Sequence, residues 1–201
     1  MLYLAGCKWT TGEGARLMQE PPIDRYRPLK KGFLTNDLTH IYDAIDGAVQ
    51  EYGIMRFAEK AQVDRTTLYR TFHTRQTRPS LDTMVSVLRV LGVRLTVERL
   101  TEWDGHQDHL EVFDALAAAR FLTAAFKTGS HKRINKAFLK LLGLQDNVSA
   151  LARRNVTSRE NLYRAFAYPR VPRFSTALAF LNAVGLKFSV EQMQRVKKRN
   201  S

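Results

Sequence analysis

The chain has 201 residues, 44% of them hydrophobic, which is enough for two modest domains with a small core each and too apolar for wholesale disorder. Lys and Arg number 32 against 19 Asp and Glu, giving a net charge of +13 and an isoelectric point near 10.2, which points to a polyanionic partner, nucleic acid ahead of a membrane surface. The single cysteine, Cys7, excludes an internal disulfide and a thiolate metal cluster, and no run approaches the ~18 apolar residues that span a bilayer, so no membrane association and a cytoplasmic home are expected.

In chain order, residues 1–35 read as a poorly ordered arm. Met1–Cys7 is apolar but short, with no basic stretch before it to make a signal peptide, and Gly12, Gly14, Pro21, Pro22 and Pro28 interrupt any periodicity. Met18 stands beside Met1 as a candidate translation start. Leu38, Ile41, Tyr42, Ile45 and Val49 recur at helical spacing and predict a helix ending at Gly53. A short helix follows over Met55–Ala61, with Phe57, Ala58 and Ala61 inward, then a turn at Gln62–Asp64. Asp64 is a good N-cap for a helix over Arg65–Phe72. After a loop, Ser80 caps a helix whose apolar stripe is Leu81, Met84, Val85, Leu88 and Leu91, and Gly92 stops it. Arg94–Glu98 alternates polar and apolar residues and reads as a strand.

Residues 101–111 form a polar linker. A preliminary helix at about 112–127 then precedes helices near Lys132–Leu142, Val148–Asn155, Arg159–Ala167 and Ser175–Val184, a strand at Leu186–Glu191, and a basic tail over 193–201. The second unit repeats the first. Asp64–Phe72 returns as Ser158–Phe166 and Gly92–Glu98 as Gly185–Glu191, at offsets of 94 and 93, so one residue is lost between Phe166 and Pro172. Over Gly53–Phe72 and Pro79–Glu98, twelve of forty positions are identical, and a period this long means duplicated domains rather than a solenoid. The expected fold is mainly α, with units at 36–100 and 112–192, each of four to five helices and a short strand.

Within each unit, two short helices joined by a tight turn spell helix-turn-helix: Ala58 is small where the second helix crosses, Val63 plugs the turn, and Leu68 anchors the second helix so that its other face stays free. Here the sequence resembles the addiction-module antidote proteins, a branch of the Cro/C1-type (lambda-repressor-like) helix-turn-helix family. The likeness lies in Phe121–Gly129, in Leu151–Arg164, and in the Gly-apolar-basic-apolar-polar-Val-Glu ending of both units, and it covers about 36–100 and 113–192. It implies sequence-specific DNA binding, often of the protein's own operon, alongside neutralising a toxin. Family members carry one such domain, whereas this chain carries two. Where the family has Gly and an apolar residue in the turn, the second unit has Val156 and Thr157; a Val at positive φ is strained, so a less regular second motif is expected.

Arg65 and Arg159 open the second helix of each motif, where a side chain reaches base edges and an Arg can grip guanine; the alternative is a solvated Arg bonded to a neighbour such as Asp64. Thr66 suits a thymine methyl, Glu160 a cytosine amino group and Asn161 an adenine, so non-identical half-sites are expected. Arg70 and Arg164, one turn on, fit phosphates. Tyr69 and Tyr163 either bond a phosphate or pack on their own unit with the hydroxyl wet. Arg75, Arg78, Arg170 and Arg173 lie in the following loop, on the backbone or in solvent. Arg153 and Arg154 add to the basic crowd. His106 and His109 have a metal pair's spacing without a third ligand, Asp43 and Asp46 read as a solvated face, and no catalytic set or phosphate loop appears, so neither enzyme, metal nor cofactor is expected. The expected role is a transcriptional regulator that binds an operator in double-stranded DNA; the alternative is an antitoxin or antiactivator that works through a protein partner, a toxin or regulator. The two strands pair either with each other, tying the heads together, or with a second chain in a homodimer.

Overall fold

The computed structural model describes residues 25–100, 114–145, 148–154 and 157–193, with only the backbone of Arg154. They are mainly helical, with one small two-stranded sheet. The chain enters through α1 (Tyr26–Leu34), which buries Leu29, Gly32 and Phe33. This corrects the expected disordered arm over residues 26–34. Gly32 is required where α1 crosses α2 (Leu38–Tyr52), since a Cβ there would stand 2.7 Å from Ala44 Cβ. Asp37 caps α2 by accepting from the Thr39 and His40 N–H groups, which holds its carboxyl below the ordinary carboxylate range.

Next come α3 (Ile54–Ala61) and α4 (Arg65–Leu68), the latter capped by Asp64 as expected, which accepts from the Thr66 and Thr67 N–H groups. The expected α-helix to Phe72 is altered: Tyr69–His73 widen into a π-turn. The widening has a physical reason, because the first unit carries one residue more between Phe72 and Pro79 than the second carries between Phe166 and Pro172, and a π-turn absorbs an inserted residue. α5 (Leu81–Val90) follows its Ser80 cap, and β1 (Val93–Arg99) closes the first half. On α5, Val87 rather than Val85 holds the fully buried place.

The second half runs α6 (Ala115–Lys127), α7 (His131–Gly143), α8 (Val148–Arg154), α9 (Arg159–Phe166), α10 (Phe174–Ala183) and β2 (Leu186–Gln192). Apart from the π-turn, it matches the first half element for element. The preliminary helix is therefore no addition of the second half. α6 is the counterpart of α1, with Leu122 and Phe126 buried where Leu29 and Phe33 are, again 93 residues on.

β1 and β2 pair with each other, antiparallel, from Val93↔Gln192 to Arg99↔Leu186. The middle pair of the seven, Thr96↔Ser189, joins two counterparts. A second contact is centred the same way: Ser80 bridges Arg173, and the Leu81 N–H donates to Pro172 O (2.8 Å) while the Phe174 N–H donates to Pro79 O (2.9 Å). Both contacts relate the halves by a local two-fold. The halves also exchange their first helices, α1 packing on β2 and α6 on β1. Each exchanged helix covers an outer strand edge: Thr123 on α6 accepts from the Val97 N–H (3.0 Å) and donates to Val97 O, and Tyr26 on α1 donates to Val190 O. A run of aromatic contacts, Phe33–Phe174–Phe188–Phe126–Phe138–Phe166, carries one core from α1 into the second half.

Candidate nucleic-acid interface

Each half sets a short helix across the next through a turn that closes the same way. The Val63 N–H donates to Ala58 O (3.1 Å), and its counterpart, the Thr157 N–H, donates to Ala152 O (3.0 Å). Gln62 takes the left-handed conformation in the first turn (φ 52°). Its counterpart Val156 lies outside the described residues, but the hydrogen bond across that turn is regular. Leu68 and Leu162 are fully buried and fix α4 and α9 on their cores, while Phe72 and Phe166 close the far ends.

The outward faces carry most of the residues singled out by the sequence. Arg65, Thr66, Arg70, Arg159, Glu160, Asn161 and Arg164 are all exposed. Arg65 turns a guanidinium nitrogen to Met55 Sδ (3.3 Å), while the Asp64 carboxylate is taken up by the helix start, so the pairing Arg65–Asp64 does not form. Arg159 lies over the ring of Tyr163, 5.8 Å from its centre. The two tyrosines differ. Tyr69 is 46% exposed and lies against the His73 ring, whereas Tyr163 is half-buried. Glu160 is held below the ordinary carboxylate range by its own backbone N–H and the Ser158 hydroxyl, with Arg159 and Arg164 adding to the effect, so it is charged and tied to the helix start. Ser158 also caps α9 by accepting from the Asn161 N–H.

The loop arginines separate into two kinds. Arg75 pairs with Asp43, and His73 bonds Asp46 (3.0 Å), so the expected solvated face of α2 instead anchors the π-turn. Arg78, Arg170 and Arg173 are exposed and make no ion pair among the described residues. Thr66, Thr67, Arg70, Thr77, Arg78 and Ser80 line one concave surface running from the start of α4 to the two-fold. Thr67 and Thr77 were not picked out by sequence reasoning; the run of hydroxyl residues from Thr66 to Thr83 is the signal that could have found them, since hydroxyls bond phosphates well.

Among the described residues no three His, Cys, Asp or Glu side chains gather as metal ligands, and no helix is long and apolar enough to cross a membrane. His106 and His109 lie outside them. Comparison of the chain with protein-family models, with curated proteins and with solved structures finds no match.

Proposed function

We propose that the chain is a sequence-specific regulator of transcription that grips double-stranded DNA with two helix-turn-helix heads, one in each half. One observation carries this reading: two equivalent helix pairs, closed by equivalent turn hydrogen bonds and carrying exposed arginines at equivalent positions, sit about a local two-fold. B-DNA presents successive major-groove segments about a dyad, so a two-fold pair of such helices matches the symmetry of neighbouring half-sites, which lie about 34 Å apart on the duplex. The net charge of +13 supplies the attraction to phosphates that any duplex provides.

Arg65 and Arg159 then read bases, Thr66 and Asn161 add discrimination, and Arg70 and Arg164 set the register on phosphates. Glu160, already engaged at its helix start, contributes less freely than its position alone implies. The test is fluorescence anisotropy with the DNA upstream of the chain's own gene against a scrambled duplex, across a salt series, for wild type, Arg65→Ala and Arg159→Ala. Each substitution should cost about 1–3 kcal/mol on the upstream duplex and little on the scrambled one. Equal and steeply salt-dependent binding to both duplexes, unmoved by either substitution, would leave only a basic surface and turn attention to a protein partner.

A further inference from the structure

We propose that Arg78, Arg170 and Arg173 form a central reading element that enters the minor groove between the two half-sites and selects a narrow, A·T-rich centre by shape. This rests on the reading of the chain as a two-headed DNA-binding protein.

The placement comes from the bridge between the halves. Ser80 pairs with Arg173 across the local two-fold, and the flanking hydrogen bonds from Leu81 and Phe174 to the two prolines fix both strands of the crossing. Pro79 and Pro172 are buried, so Arg78 and Arg173 beside them stand on a rigid base, and the backbone of Arg170 is held by the Asn135 amide, which donates to its carbonyl (2.6 Å). The crossing opens on the face that carries the reading helices, because the concave surface that starts at Thr66 and Arg70 ends at Arg78 and Ser80. On one side of B-DNA, two successive major-groove openings are separated by one minor groove. With a head in each major groove, the two-fold therefore faces that minor groove.

The chemistry fits the groove. A narrow A·T minor groove concentrates negative potential and attracts arginine, whereas the guanine amino group in a G·C centre obstructs it. Asp64 is taken up by the cap of α4, Asp43 holds Arg75, and Asp82, exposed two residues beyond Ser80, forms no ion pair with them, leaving Arg78, Arg170 and Arg173 without an ion pair among the described residues. The counterparts of these three are Val171, Thr77 and Ser80, so two of the three arginines come from the second half. The A·T requirement accordingly leans toward the half-site held by α9.

The experiment measures dissociation constants for duplexes that keep the footprinted half-sites of the upstream DNA and vary only the base pairs between them: A·T, G·C, or inosine·C. Inosine keeps guanine's major-groove edge but lacks the minor-groove amino group. Wild type should bind the A·T and inosine·C centres about tenfold more tightly than the G·C centre. The double variant R170A/R173A, with both sites exposed and an unchanged melting curve as its check, should lose this preference while still favouring the half-sites over scrambled DNA. Equal affinity of wild type for all three centres, with the half-site preference intact, would overturn the central reading element alone. Loss of any preference for the upstream duplex would overturn the two-headed reading beneath it.

Discussion

Tyr42 stands on the buried side of α2 with its ring edge-on to Phe72 and its hydroxyl without a hydrogen-bond partner. Burial pushes that hydroxyl from 10.0 up to about 12, partly offset by the charge of Arg78. A raised value means that the folded state favours the neutral phenol. The contribution is fully present below pH 10, the ordinary value, and is lost as pH rises through the folded value near 12. Wild type should therefore lose stability across that window in chemical denaturation, and Tyr42→Phe should abolish that part of the loss. The same substitution also removes an unsatisfied buried oxygen, so at neutral pH it should be neutral or raise the melting temperature. A steep fall above pH 10 retained by the phenylalanine variant would place the alkaline sensitivity elsewhere. Asp37 acts at the other end of the scale: its lowered carboxyl adds stability above the ordinary 3.8, lost as pH falls through the lower folded value.

At the scale of elements, the first turn places Gln62 at φ 52°, a conformation that costs an L-residue with a Cβ about 1–2 kcal/mol. Gln62→Gly should raise the unfolding free energy by about 0.5–1 kcal/mol, the rest being returned to the greater freedom of the unfolded glycine. Urea denaturation measures it, and a lower midpoint would show that the glutamine side chain has a role in the turn. Most elements were legible beforehand, because caps such as Asp64 and Ser80 and stripes such as Leu81–Leu91 are local signals. α1 was not. Pro28 looks like a breaker but falls in the first turn, where its missing N–H is not needed, and Lys30 and Lys31 hide a stripe completed only by contact with α2 and β2. The π-turn was present in the sequence only as a change of offset, and the site's outward arginines were legible while the crossing at Ser80 and Arg173 was not, since no local pattern marks which distant segment a buried proline meets.

For the molecule as a whole, the strand ladder, the bridge at the two-fold and the exchange of α1 and α6 all cross between halves. None depends on the covalent link over residues 101–113. A chain cut there by an inserted protease site should keep the elution volume of the intact protein and come apart only under denaturant; two species of half size under native conditions would contradict the exchange. Phe33→Ala tests the same coupling from inside. It removes the ring that joins α1 to Phe174 and should cost about 3–5 kcal/mol, with both halves unfolding in one transition.

The two-fold about Thr96 and Ser189 is approximate by necessity, since Ser80 faces Arg173 and Gly32 answers to Ala125. In a dimer of identical chains every substitution is made twice, and the assembly looks the same from either end. Here each half varies alone. The molecule has a left and a right, and anything bound across its axis is held in one direction, so that what approaches from one flank meets a different surface from what approaches along the other.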